Sequence, residues 1–141
     1  MIFVRYSALI LGGFMLEIKR YNKIDDAVNL YKLMKNEGNE WIDYWGSEKY
    51  KRALDNSIVY VAYDGDVLCG YVRCKDDDGF GIYIYDLLVD KSHRGNKYGF
   101  MLMQKICDTF PDNTVYVMSD VDLYYEKQGF KREGSIFIVN E

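Results

Sequence analysis

Between Gly81 and Phe110 a strand-like run, a basic turn containing glycines and an amphipathic helix follow one another without a break. The strand-like part is Gly81 to Tyr85, and the helix continues through Met101, Leu102, Ile106 and Phe110, apolar at helical spacing. Few architectures accept that succession. It places the turn Asp-Leu-Leu-Val-Asp-Lys-Ser-His-Arg-Gly-Asn-Lys-Tyr-Gly, residues 86 to 99, at the N-terminus of a helix. The first amides of a helix lack intrahelical partners and stand at the positive end of its dipole, so an anion such as phosphate fits there. Gly95 and Gly99 would let the backbone approach it closely, and Arg94 and Lys97 would add charge. The alternative is a tight turn that needs glycine for its own sake, with solvated basic residues at a helix start.

A second segment lies downstream. After a turn at Pro111 to Asn113 and a strand from Thr114 to Met118 comes Leu123-Tyr124-Tyr125-Glu126-Lys127-Gln128-Gly129-Phe130. Residues 86–99 resemble the acyl-CoA-binding segment of the Gcn5-related N-acetyltransferases (GNAT), written Arg/Gln-x-x-Gly-x-Gly/Ala after a hydrophobic strand end. Here Leu87, Leu88 and Val89 supply the strand end, Arg94 the first position and Gly99 the last, while Lys97 replaces the middle glycine. Residues 123–130 resemble the Phe-Tyr-Glu-Lys-x-Gly-Phe segment of the same family. The two independent segments cover the C-terminal half of the chain. The first half matches in element order alone.

From its start, the chain opens with an apolar stretch, Ala8 to Phe14, too short to span a bilayer and without a small-x-small cleavage site. Residues 1–14 are read as an extension, either an upstream start or an added edge strand, and 15–141 as one domain. Leu16 to Tyr21 alternates as a strand, and Asp25 or Asp26 is placed to cap a helix running to Gly38. Glu40 to Trp45 carries two tryptophans that either anchor the core beneath a loop or line an acceptor pocket. Ser47 caps a second helix through Leu54. Strands Ile58 to Tyr63 and Val67 to Lys75 flank Asp64-Gly65-Asp66, a hairpin signal. Asp76 to Gly79 is a turn without the ligand spacing of a calcium loop. Strand Phe80 to Val89 leads into the basic turn, and Ser135 to Val139 reads as a final strand. This order predicts an α+β fold, and the resemblance implies a mixed, largely antiparallel sheet flanked by helices. It further implies that the strands near 81–89 and 114–118 run parallel and splay to admit the coenzyme.

Composition narrows the function classes. A net charge of −4 and a pI near 5.0 oppose a nucleic-acid binder that relies on a basic field, and no segment indicates a membrane span. Cys69, Cys74 and Cys107 are odd in number and lack metal-ligand spacing, so neither a disulfide framework nor a metal site is expected. A reducing cytoplasm is the simplest location. Cys69 and Cys107 read as small core hydrophobes. His93, the only histidine, lies beside the phosphate turn as either a surface loop residue or a neighbour of the cofactor.

The resemblance implies direct transfer of an acetyl group from acetyl-CoA to an amine of a small molecule or peptide. The coenzyme would be held by Leu87, Leu88, Val89, Arg94, Gly95, Asn96, Lys97, Tyr98 and Gly99, with the amides near Leu88 and Val89 polarising the thioester. Tyr125 matches the family tyrosine beside the coenzyme sulfur and is the candidate acid; a phenol keeps its proton at neutral pH. Asp86 is the candidate base, with Tyr83, Tyr85 or a held water as substitutes, or else Asp86 orients the amine. The family asparagine upstream of Tyr125 is Met118 here, so either Ser119 or Asp120 would make its cofactor contact or the contact is missing. No metal is called for. An alternative is a noncatalytic acyl-CoA sensor, and another an interaction module presenting Trp41, Tyr44 and Trp45. A homodimer through the final strand is a further expectation.

Overall fold

The computed structural model describes residues 9–11 and 14–140, with side chains from Leu16 onward. Most of the expected extension, residues 1–8, 12 and 13, lies outside the described residues, as does Glu141. The described elements are β1 (Leu9–Leu11), β2 (Phe14–Arg20), α1 (Lys23–Glu37), α2 (Asn39–Trp45) and α3 (Glu48–Asp55), then β3 (Ile58–Asp64), β4 (Val67–Asp76) and β5 (Ile82–Val89). A 3-10 turn, Lys91–His93, precedes α4 (Tyr98–Thr109), β6 (Val115–Val117) and α5 (Asp122–Lys127). The six strands lie in sequence order, each antiparallel to its neighbour except β5 and β6, which are parallel. The fold is therefore α+β with a mixed, largely antiparallel sheet, as expected. Its one parallel pair is joined by a helical crossover, α4.

Each face of the sheet has its own core. On one, Val72, Cys74, Ile82 and Ile84 pack beneath Tyr98, Leu102, Met103 and Ile106 of α4. On the other, Val59, Val61, Tyr71 and Leu88 meet Leu30, Leu33 and Met34 of α1 and Tyr50 and Leu54 of α3. The approach of α4 depends on Gly70, where a Cβ would stand 3.1 Å from both Leu102 Cδ1 and the Leu88 carbonyl oxygen.

Register breaks set which residues reach which face. Between β4 and β5, Cys74 pairs with Ile84 but Arg73 pairs with Asp86, so Tyr85 is a bulged extra residue. The bulge inverts the parity of the strand: Ile82 and Ile84 face α4 before it, Leu87 and Val89 after it. Tyr85 and Asp86 therefore both join Arg73 on the face of α1 to α3, where the Arg73 guanidinium lies 5.3 Å from the Tyr85 ring centre.

Three expectations change. The cap of α1 is Asn22, whose side chain accepts from the amides of Ile24 and Asp25. Asp26 is instead fully buried, accepting from Tyr63 Oη at 2.6 Å and the Asn22 amide at 2.7 Å and lying 3.5 Å from Lys19 Nζ. Residues 40–45, where a loop over the two tryptophans was one reading, belong to α2. Its Trp41 packs edge-on against Tyr71, and Trp45 packs against Tyr31. Finally, residues 135–139 form no strand and stay exposed. Ser47 caps a helix as expected, accepting from the Tyr50 amide.

Candidate active site

The parallel pair opens where the coenzyme was expected. Its ladder joins Ile82 to Val115, Tyr83 to Tyr116 and Ile84 to Val117, and closes with the Met118 amide donating to the Ile84 carbonyl at 2.9 Å. From Tyr85 to Val89, β5 has no β6 partner. The Asp90 amide donates to Cys69 O on the β4 side, so strand alternation turns the Leu88 amide toward β4 as well. That leaves the amides of Leu87 and Val89 on the open side. Of the expected pair, Leu88 and Val89, the geometry keeps Val89 and adds Leu87.

The turn after β5 is clamped from two directions. Asn36 Nδ2 donates to Asp90 Oδ1 at 2.6 Å, and Arg94 Nη2 reaches Glu37 Oε2 at 2.7 Å while its Nε donates to Val89 O. Both acceptor and donor residues on α1 sit at its C-terminal end. From the other side, His93 lies between Asp90 Oδ2 at 3.0 Å and Asp64 Oδ2 at 3.2 Å, the latter on the β3–β4 hairpin. Ser92 also hydrogen-bonds Asp90. Burial alone would raise the Asp90 carboxyl; bonds from Ser92, His93 and Asn36 overcome it and hold it down at about 2. Asn96 Nδ2 donates to His93 O.

Lys97 begins α4 in the left-handed region, φ 63° and ψ 21°. A glycine adopts that backbone without cost whereas a lysine does not, and the Lys97 side chain is exposed. No side chain caps α4, so its first amides stay available to an anion. Tyr98 is buried in the core, and Gly99 is buried beneath Tyr124, whose hydroxyl a methyl group at Gly99 would overlap.

Tyr125 sits on α5, half-buried against the β4–β5–α4 core, its ring 5.0 Å from that of Tyr124 and 6.3 Å from Phe130. Burial first, then the neighbouring Tyr124 and Asp120, push its phenol up to about 12. Ser119 is exposed, and its hydroxyl donates to Asp122 Oδ1 at 2.7 Å.

Asp86 occupies the opposite face. Its Oδ2 accepts from Arg73 Nε and from Tyr50 Oη at 2.7 Å, and Tyr50 Oη shares a 2.8 Å hydrogen bond with Tyr71 Oη. Arg73 Nη1 continues the chain to Ser57 Oγ at 3.2 Å. The pair is mostly buried, with side-chain exposures of 14% and 18%. Both donors use one oxygen, and Oδ1 accepts from no side chain or amide among the described residues. Burial, and then Asp86, hold the Tyr50 proton firmly; burial does the same for Tyr71. Arg73 and Tyr50 were not anticipated. A charged residue in each of two facing apolar strands was the available signal, since opposite charges favour paired positions. The partners on α1, Asn36 and Glu37, left no signal of that kind.

Cys69 and Cys74 pack in the core as hydrophobes while Cys107 is only partly buried: burial pushes the Cys69 thiol to about 12 and Cys74 to about 11, and raises Cys107. Among the described residues no group of side chains is arranged to hold a metal ion, and no helix is long and apolar enough to cross a membrane. A cavity of about 180 Å³ between β2 and α4, lined by Leu16, Ile18 and Met101 among others, holds none of the site residues.

Residues 24–130 match the acetyltransferase (GNAT) family. The chain belongs to that family. A GNAT-family acetyltransferase from Streptococcus pneumoniae is 25% identical over 90% of this chain and 100% of its own, with a TM-score of 0.70. A protein from Deinococcus radiodurans proposed to be an acetyltransferase is 21% identical, covering 89% of this chain and 88% of its own, with a TM-score of 0.68. An aminoglycoside N-acetyltransferase solved with CoA shares the fold at 12% identity and a TM-score of 0.65, over 94% of this chain and 99% of its own. No curated protein matches the sequence.

Proposed function

We propose that the protein transfers an acetyl group from acetyl-CoA to the amine of a small molecule or peptide by direct attack. The observation that carries this reading is the parting of β5 from β6 after Ile84, beside the uncapped first turn of α4 and within reach of α5. The coenzyme's pyrophosphate would rest on the turn 94–99, with Arg94, Lys97 and the amides of α4 around it and Ser119 at the far side. Its thioester would lie against the Leu87 and Val89 amides, which polarise the carbonyl as negative charge develops.

The acceptor approaches from the face of Tyr85 and Asp86. Asp86 Oδ1 orients the amine, with Arg73 and Tyr50 fixing the carboxylate plane. The nitrogen forms its bond to the acetyl carbon, the carbon–sulfur bond breaks, and the amine's proton leaves toward Asp86 and solvent. Tyr125, still protonated at neutral pH, donates to the departing sulfur. Asp86 is already paired with the Arg73 guanidinium, against which the exposed Tyr85 ring lies. The coenzyme and three unpaired thiols both fit a reducing cytoplasm.

The test has two stages. Acetyl-CoA at about 100 times its dissociation constant should stabilise the protein by about 2.7 kcal/mol in thermal unfolding. Free thiol should then appear when amines are supplied. No stabilisation at millimolar coenzyme would remove the coenzyme site, and stabilisation with no thiol release from any amine would leave a sensor. Within an active enzyme, Asp86→Asn should raise the acceptor KM at least tenfold while leaving the acetyl-CoA KM near its original value; an unchanged acceptor KM would remove Asp86 from the amine site.

A further inference from the structure

Tyr124 holds the position that the family segment fills with phenylalanine, so this chain carries a hydroxyl there. The ring spans from α5 to the first turn of α4. A methyl group at Gly99 would overlap Tyr124 Oη and would also lie 3.7 Å from Leu87 Cδ2. One point in the molecule therefore gathers the start of α4, the open end of β5 and a phenol. The ring is 40% exposed, and its hydroxyl donates to no protein group among the described residues. Next to it lies Tyr125, the proposed donor to the sulfur, its ring 5.0 Å away, so Tyr124 adjoins both that residue and the first turn of α4.

We propose that Tyr124 is a coenzyme-positioning residue whose hydroxyl donates to a phosphate oxygen of CoA at the first turn of α4, and that Gly99 is glycine to admit that hydroxyl. This rests on the acetyl-CoA reading above. A hydroxyl donating to an anionic oxygen forms a short, charge-assisted bond, stronger than one between neutral groups. The last glycine of the turn then serves a side chain of this protein in addition to the ligand. That assignment separates two explanations of Gly99 which the sequence alone leaves merged. If Gly99 exists only for the ligand's approach, alanine should harm binding whatever residue occupies 124. If it exists for the Tyr124 hydroxyl, removing the hydroxyl should relieve much of the harm, because the ring's Cζ would stand 3.6 Å from the new methyl, an ordinary contact.

The experiment is a double-mutant cycle on CoA binding by titration calorimetry, using wild type, Tyr124→Phe, Gly99→Ala and the double variant. Thermal unfolding confirms that each variant is folded. Tyr124→Phe should weaken CoA roughly tenfold and raise the acetyl-CoA KM by a similar factor with kcat unchanged. Gly99→Ala should weaken CoA strongly alone and much less in the phenylalanine background. Equal CoA affinity of Tyr124→Phe and wild type would overturn the inference while leaving the acetyl-CoA reading intact, and so would a Gly99→Ala effect of the same size in both backgrounds. A wild-type protein that binds no CoA would instead remove the reading on which both rest.

Discussion

At the scale of single residues, what matters is which proton each group holds and what holds the group. Tyr125 is a phenol whose proton burial has secured, which suits the role proposed for it, donating to sulfur late in the reaction. Tyr125→Phe should lower kcat about 100-fold or more and change the acetyl-CoA KM little; steady-state kinetics with unchanged kcat would remove Tyr125 from the chemistry. Asp90 illustrates the opposite displacement, from its ordinary 3.8 down to about 2. A carboxyl depressed in the folded state stabilises that state above its unfolded value, and the gain is lost as pH falls through the folded one. Between about pH 4 and pH 2 the wild type should therefore lose about 2 kcal/mol that Asp90→Asn does not lose. Parallel denaturant titrations across that window check it, and identical acid slopes would contradict it. The motif residues Arg94, Gly99 and Tyr125 were legible in the sequence because their spacing is local. Their supports were not: Asn36 is 54 positions from Asp90 and Glu37 is 57 from Arg94, and no periodicity links such pairs.

At the scale of elements, local chemistry was legible wherever one strong rule acted alone. Ser47 before an amphipathic run gave the start of α3, and Asp-Gly between apolar strands gave the β3–β4 hairpin. Where two rules competed, tertiary packing decided. Asn22 and Asp26 both suit a cap, and the core claimed Asp26 by pairing it with Tyr63 and Lys19. Glu40 to Trp45 is too short to show a helical period, yet its rings find Tyr31 and Tyr71 only as a helix. The Tyr85 bulge left no mark in the sequence beyond a strand whose apolar parity changes midway, and it is the bulge that brings Tyr85 and Asp86 together on the face of α1 to α3. The seating of α4 makes a sharper case. Gly70→Ala would set a methyl 3.1 Å from Leu102 Cδ1, which can rotate, and 3.1 Å from the Leu88 carbonyl, which the sheet holds. The variant should lose about 1–3 kcal/mol of stability, since overpacking forces backbone or helix to shift. Equilibrium unfolding with no loss would show that α4 yields without cost.

At the scale of the whole molecule, the described sheet ends in β6, a three-residue strand paired on one side only. Following α5, the chain carries Ile136, Phe137, Ile138 and Val139, exposed at 68%, 82%, 67% and 95%. These are β-branched and aromatic residues, suited to a strand and unsuited to water. The segment was read from the sequence as a strand; in the single chain it forms none, because a strand exists only through a partner and no edge of this copy takes it up. A free sheet edge and an unpaired apolar segment in one chain are complementary to their counterparts in a second copy, and a two-fold arrangement satisfies both pairs at once. We propose that association of two copies buries this run. Side chains of this size each contribute about 1.5–3 kcal/mol when fully buried, a gain of the same order as the entropy of association. Sedimentation equilibrium at tens of micromolar protein should then give a mass near twice 16.6 kDa. Ile138→Lys, which places a charge in the middle of the run, should return the mass to that of one chain without altering its thermal unfolding at high dilution. A wild type that remains a single chain at that concentration, or an Ile138→Lys variant that still pairs, would show that this run is not what joins the copies.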